Sequence, residues 1–142
     1  MILVDTSVLC YAVGEEHLLR TPCRRLLRAH ADERIEVTTT IEVVQEFLHV
    51  RARRRPRADA VAVAGSYASA FDLLTTDESD LRLALDLFER HEPLGAFDAV
   101  LAAVALNRSA EALVSADQGF GSVPGLRWID PRTTALTQQL GV

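Results

Sequence analysis

The chain contains no lysine, only two cysteines and one tryptophan, and its longest unbroken apolar run reaches only from Ala99 to Leu106. That run is far short of the roughly 20 residues a membrane helix needs, so no membrane partner is expected. The opening "MILVDTSVL" has no basic segment and meets Asp5 after three apolar residues, unlike a secretory leader, so a cytoplasmic protein is the expectation. Cys10 and Cys23 form no CxxC pair and have no histidine at metal-ligand spacing, so neither a disulfide framework nor a thiolate metal site is expected. Both read as small residues of the core or of helices. All 15 basic residues are arginine, which removes any chemistry that needs a lysine amine. No GxGxxG opens a helix after a strand, so a dinucleotide-binding protein is disfavoured.

What is present fits one domain over residues 1–142, with 49% apolar and 25% charged residues. "ILVD" (2–5) is a branched apolar run ending in a carboxylate, as in a buried parallel strand. In "TPCRRLLRAHA", Thr21 reads as a cap and Pro22 as the first helical residue, with the helix ending near Ala31. "IEVTT" reads as a second strand, and "IEVVQEFLHVRARR" as a helix with Ile41, Val44 and Leu48 on one side, interrupted by Pro56. Two further stripes predict helices, one through Ala60, Ala64, Tyr67, Phe71 and Leu74, the other through Leu81, Leu85 and Phe88. "GAFDAVLAAVALN" is another helix, "ALVSAD" and "LRWID" are strands, and a helical turn closes the chain. The order βαβααααββ, with no repeat or linker, predicts a three-layer α/β domain around a mostly parallel sheet.

In open sheets of this kind ligands gather at the carboxyl ends of the strands, and carboxylates stand there in this sequence. Asp5 ends the first strand, Asp117 follows "ALVSA", and Asp98 opens the helix that runs into that strand. A helix N-terminus favours a carboxylate, so Asp98 reads both as a cap and as a ligand. Glu46 lies on the border between an apolar side (Val43, Phe47, Val50) and a polar side (Glu42, His49, Arg53) of its helix. Glu42, one turn earlier on the same stripe, is an equal candidate at this level. Two carboxylates at 4 Å repel by about 4 kcal/mol even at an effective dielectric of 20. No arginine neighbours Asp5, Asp98 or Asp117 in sequence, so the compensating charge is expected to be a divalent cation. An all-oxygen donor set points to Mg²⁺ or Mn²⁺.

With these residues in place, "ILVDTSVL", the "EF" of Glu46 and Phe47, "DAVLAAVAL" from Asp98 and "LVSADQGF" around Asp117 together resemble the PIN domain, specifically VapC-type toxins of bacterial toxin–antitoxin pairs. Each motif is weak alone; their order and spacing cover nearly the whole chain. The resemblance implies a Rossmann-like α/β/α fold and a metal-dependent endoribonuclease whose water attacks the RNA phosphate to leave a 5′-phosphate. It implies that the four acidic positions are Asp5, Glu46, Asp98 and Asp117, favouring Glu46 over Glu42, and that Ser7 and Ser115 support a carboxylate or a bound water. It also implies a homodimer held in check by a cognate VapB-type antitoxin. Those four carboxylates would account for four of the five net negative charges, so the acidic total does not exclude RNA.

"RARRRPR" carries Arg51, Arg53, Arg54, Arg55 and Arg57 at a helix end. It reads as a solvated C-terminus favoured by the helix dipole, or as a contact for RNA or a protein partner. Glu46 and His49 stand at the spacing of half a di-iron motif, but the other half is missing. Tyr67 and Trp128 read as core or interface residues. Two competing functions are a Mg²⁺-binding phospho-acceptor domain, disfavoured by the missing lysine and by "DTS" where DxD is usual, and a non-catalytic PIN-like scaffold, disfavoured by four intact acids.

Overall fold

A computed structural model describes residues 1–142. Its elements are β1 (Ile2–Val4), α1 (Thr6–Val13), α2 (Arg20–Ala31), β2 (Val37–Thr38), α3 (Ile41–Ala52), α4 (Arg57–Ala70), α5 (Glu78–Arg90), α6 (Ala96–Asn107), β3 (Ala112–Val114), a 3₁₀ turn at Gln118–Ser122, β4 (Trp128–Ile129) and α7 (Ala135–Leu140). The four strands pair in the order β2-β1-β3-β4, every pair parallel, with Ile2 opposite both Val37 and Ala112 and Val114 opposite Ile129. From β1 the chain moves outward to β2. From β2 it crosses back over β1 to β3. Right-handed crossovers in opposite directions put helices on both faces of the sheet and complete the α/β/α sandwich. They also make the β1/β3 boundary a switch point, where the connections leave in opposite directions and open a crevice at the carboxyl ends.

The sheet is short and buried: Leu3, Val4, Leu113 and Val114 have no exposed surface. They centre a core cluster of 31 buried residues that draws on α1, α3, α4 and α6. Tyr67 joins that core, with its hydroxyl donating to the Leu9 carbonyl at 2.8 Å and its ring edge-on to Phe47. Three consecutive threonines tie β2 to its neighbours. Thr38 donates to the Asp72 carbonyl, Thr39 donates to the Val4 carbonyl, and Thr40 caps α3 through Val43 N–H. Pro56 separates two helices, as the sequence indicates, though α3 already ends at Ala52, two residues short of the expected stretch, and Pro56 is the residue that precedes α4. Both thiols are free. No helix is long and apolar enough to cross a membrane.

Four sequence expectations need correction. The strands are shorter than the stretches read for them: β1 and β3 stop at Val4 and Val114, and although Asp5 and Ser115 still bond to the neighbouring strand through their N–H groups, their side chains cap α1 and hold the turn at Asp117. Helix α1 has no counterpart in the expected element order; its "VLCYAV" stretch shows no apolar contrast from which a helical period can be read. Helix α2 begins at Arg20 after an N-cap, Leu19, that lends no side-chain bond, and Pro22 is its third residue. There the missing N–H is still one of those a helix cannot satisfy internally.

The fourth correction concerns the rotation of α5. Leu81, Leu85 and Phe88 follow a helical stripe but are 49%, 61% and 50% exposed, so the stripe faces outward. The buried side is Asp80, Ala84 and Leu87. Asp80, wholly buried, receives Arg108 Nη1 at 2.9 Å on one oxygen and Nη2 at 3.0 Å on the other, with Asn107 Nδ2 at 2.8 Å. The second oxygen also accepts the Asp77 N–H and completes a capping box. Burial pushes the Asp80 carboxyl up, but the bonds from Arg108, Asp77 N–H and Asn107 outweigh it and hold the group below its ordinary range. A charge that must reach Arg108 and Asn107 at the end of α6 fixes which side of α5 turns inward.

Removing the guanidinium leaves Asp80 buried and uncompensated. Arg108→Ala is expected to lower the unfolding free energy by about 3 kcal/mol, measured by urea denaturation at pH 7. Because the folded pKa is depressed, the wild-type advantage is expected to be present above the unfolded carboxylate value and to vanish as pH falls through the folded one.

Candidate active site

The crevice at the β1/β3 boundary is a cavity of about 590 Å³ whose wall includes Asp5, Glu46, Asp98 and Asp117. Asp5 is the most deeply placed, at 6% exposure, and begins as a cap. One carboxylate oxygen accepts the N–H groups of Ser7 (3.1 Å) and Val8 (3.4 Å) and the Ser7 hydroxyl (2.5 Å), which starts α1. The other oxygen accepts the Ser115 hydroxyl at 2.6 Å. Each serine also accepts: Ser7 Oγ takes Ala116 N–H across the crevice at 3.1 Å, and Ser115 Oγ takes Asp117 N–H in its own segment at 2.9 Å. The two hydroxyls thus join the end of β1 to the end of β3, and the site of Asp5 to that of Asp117.

Asp117 is further set by its own turn, where its carboxylate accepts Gly119 N–H at 2.8 Å. A Cβ on Gly119 would lie 2.4 Å from the Pro93 carbonyl oxygen, so only glycine lets the 3₁₀ turn approach the loop that leads into α6. That approach brings Asp98 toward Asp117. Asp98 itself is not a cap: Gly95 holds the N-cap position, and Asp98 is the third helical residue without a side-chain capping bond. Burial, the hydrogen-bonding Asp117 carboxylate and the charges of Asp5, Asp117 and Glu46 together push the Asp98 carboxyl up to about 7. Burial also raises Asp5, against the bonds from Ser115, Ser7 and the two N–H groups.

Of the two candidate glutamates, only Glu46 lines this cavity; Glu42 lines an adjoining groove with Phe97 and Val100, to which Glu46 also contributes. The arginines of "RARRRPR" separate as well. Arg51 forks onto Asp59 with Nε at 2.7 Å and Nη2 at 3.3 Å, and its Nη1 reaches the Val13 carbonyl, tying α3 to α4 and α1. Arg54 lines the acidic cavity, whereas Arg53, Arg55 and Arg57 are exposed outside it. His49 is likewise exposed, outside the cavity wall. Cys10 is also in the wall. Burial and then Asp5 and Glu46 raise its thiol to about 11, with Arg54 and Arg51 pulling the other way.

Several contributors leave no mark in the sequence because their partners are backbone atoms. Trp128 donates from Nε1 to the Ser115 carbonyl at 2.9 Å, and Arg132 donates to the Ala116 carbonyl at 3.0 Å. Both fix the segment that carries Asp117. Thr6 is a further member of the wall, and its hydroxyl oxygen is buried without a hydrogen-bond partner.

The donor chemistry suits a hard divalent cation. Asp5, Asp117 and Glu46 raise the proton affinity of Asp98, and the only arginine in the wall pairs with none of the four. As they stand, no three acidic, histidine or cysteine side chains converge into a ready coordination cluster.

A PIN-domain model matches residues 2–126, and the chain belongs to the PIN-domain family. Within that family its relatives are VapC ribonucleases. It is 46% identical to ribonuclease VapC7 of Mycobacterium tuberculosis over 149 aligned positions covering 99% of both chains. It is 32% identical to ribonuclease VapC13 of the same organism, over 89% of this chain and 98% of that one. Among solved structures, VapBC2 of Rickettsia felis bound to a promoter DNA fragment superposes with a TM-score of 0.74 at 16% identity, covering 92% of this chain and 98% of that one. Mycobacterium tuberculosis VapC20, a sarcin-ricin-loop-cleaving toxin, gives a TM-score of 0.71 at 20% identity over 86% and 94%. These structures share the fold. PIN-domain VapC nucleases generally depend on a divalent metal.

Two outcomes follow from the geometry. Gly119→Ala is expected to cost about 1 to 3 kcal/mol in chemical denaturation, because backbone stands where the new methyl must go. The Asp98 shift has a defined sign. The folded state holds a proton that the unfolded chain releases near 3.8, so this contribution is complete below that value and is lost as pH rises through about 7. In EDTA, the fall in Tm between pH 4 and 7 is expected to be smaller in Asp98→Asn than in the wild type. A Tm profile unchanged by the substitution would contradict the assignment.

Proposed function

We propose that the protein is a metal-dependent endoribonuclease and the toxin of a VapBC-type pair, inhibited by a cognate VapB-type antitoxin. The observation that carries this reading is the meeting of Asp5, Glu46, Asp98 and Asp117 around one cavity at the sheet's switch point, in a chain 46% identical to a VapC ribonuclease. Mg²⁺ or Mn²⁺ is the cofactor that the oxygen donors fit, with Asp5 and Asp98 as the main ligands and Glu46 and Asp117 completing the set, partly through water. Bound there, such an ion supplies an activated water and neutralises charge on the phosphate.

The rest of the work belongs to the chain. Ser7 and Ser115 commit their hydrogens to Asp5, which holds that carboxylate in one orientation and keeps it able to ionise in spite of its burial. Asp117, fixed by the N–H of Gly119 and by Ser115, faces the same space and is the more exposed member, suited to orient a water beside the phosphate. Asp98 gives up a proton when positive charge enters the cavity, so ligand binding and ionisation are linked. The exposed Leu81, Leu85, Phe88, Ile41, Val61 and Phe97 supply apolar surface of the kind a homodimer and an antitoxin require.

The purified protein with Mg²⁺ or Mn²⁺ is expected to cut RNA from a mixture of host transfer and ribosomal RNA, with EDTA stopping the reaction. Asp98→Asn is expected to lower kcat/KM at least about 100-fold with the fold retained by circular dichroism, since a lost charge-stabilising ligand is worth several kcal/mol. An Asp98→Asn protein with full activity would remove the catalytic assignment. Growth arrest on expression, relieved by co-expressing the neighbouring antitoxin gene, tests the toxin reading separately.

A further inference from the structure

We propose that Arg54, with Arg55 beside it, forms a phosphate subsite that holds the RNA backbone phosphate next to the one being cut. The inference rests on the nuclease reading above and goes beyond it by giving the substrate a direction across the surface. A second cleft of about 460 Å³ adjoins the acidic cavity and is lined by Val13, Phe47, Arg51 and Arg55 together with Cys10, Gly14, Glu15, Val50 and Arg54. Those last five residues line both spaces, so the two are one continuous trough.

Its charge changes sign along its length. The first space is lined by the four site acids with Glu15 and Glu16, against Arg54 alone among the arginines; the second gathers three arginines against Glu15. An anionic chain meets repulsion in the first space, except where a cation sits, and attraction in the second. A dinucleotide step laid along the trough therefore has one phosphate at the acids and the next at the arginines.

The arginines of the second cleft do not share one role. Arg51 has committed Nε and Nη2 to Asp59 and Nη1 to Val13, so it gives the cleft a fixed charge and few free donors. Arg54 and Arg55 make no ion pair and no side-chain hydrogen bond within the protein, although Arg54 lies in a wall with six carboxylates. Their backbone N–H groups both bond to the Arg51 carbonyl, which seats them in a turn at the end of α3. A guanidinium fork with uncommitted donors, seated by its backbone and facing a cleft, is suited to a phosphate oxygen pair. Arg57 lines neither space and belongs to a separate shallow groove with Gln45 and Val61.

The test uses the full-length protein with Mn²⁺ and an RNA oligonucleotide that the wild type cuts once. Arg54→Gln is expected to raise KM about tenfold with kcat within about twofold, and to flatten the plot of log affinity against log salt by about one phosphate contact. Arg54→Lys is expected to recover part of the loss, and Arg57→Gln to match the wild type. Replacing single phosphates by neutral methylphosphonates is expected to weaken wild-type binding at the linkage adjacent to the cut and to have no further effect at that linkage in Arg54→Gln, a coupling that a purely structural role does not produce.

Wild-type KM and salt slope in Arg54→Gln would overturn the subsite while leaving the nuclease standing. So would a loss of antitoxin affinity without any loss on RNA, which would assign Arg54 to the protein partner. A wild type that neither binds nor cuts any RNA with Mn²⁺ would remove the nuclease reading and the subsite with it.

Discussion

The carboxylate of Asp5 is the interaction on which the rest of the structure depends. It is the last residue before α1 and its N-cap, and it accepts hydrogens from Ser7, which also takes Ala116 N–H beyond β3, and from Ser115 at the end of β3. A buried carboxylate without such donors would take up a proton or destabilise the core by several kcal/mol. With them, the group that starts a helix also anchors the alignment of β1 with β3 and presents its charge to the crevice between them. Folding and site assembly are thus one event: the crevice cannot form correctly with Asp5 unsatisfied, and Asp5 is satisfied only when β3 is in register.

The acids nevertheless repel, and the fold keeps that repulsion finite by distributing burial. Asp5 is deep and bonded, Asp98 is half-buried and raised, and Glu46 and Asp117 stay near solvent, where screening is strong. The mobile term is the proton on Asp98. A dication held by these residues would carry more charge than that proton and would exchange one compensation for the other. Gly119 governs how tightly this works, because the approach of the 3₁₀ turn to Pro93 sets how close the Asp98 helix comes to Asp117.

Much of this was legible in the sequence, and the parts that were not have physical reasons. The strand-end acids stand out because a charge that ends a buried apolar run needs a purpose, and Asp98 was visible as the one charge on an otherwise apolar helix; Glu46, at the border of an apolar and a polar side, could be told from Glu42 only through the family resemblance. The fold class followed from alternating strands and helices. Helix α1 was hidden because an apolar helix packed on the sheet shows no period. The stripe of Leu81, Leu85 and Phe88 gave the right element but the wrong inward side: Asp80, Ala84 and Leu87 face inward, and the partners of Asp80, Asn107 and Arg108, are too distant in sequence for a helical period to reveal. Trp128, Arg132 and Thr6 were invisible for another reason: they act through backbone atoms or a cavity wall, and nothing in a residue's identity announces such a partner.

The absence of lysine takes on meaning once the arginines are sorted by what they hold. Arg51, Arg108 and Arg132 each fork onto a carboxylate and also reach a backbone carbonyl, binding two elements at once through planar donors that an ammonium cannot duplicate. Arg54 and Arg55 hold no such partner, though carboxylates are near. Arg54 stands in one wall with six carboxylates and bonds to none of them. That leaves the acids of the site without a paired cationic side chain and the guanidinium with its donors uncommitted. A polyanionic backbone is the ligand that needs both at neighbouring positions.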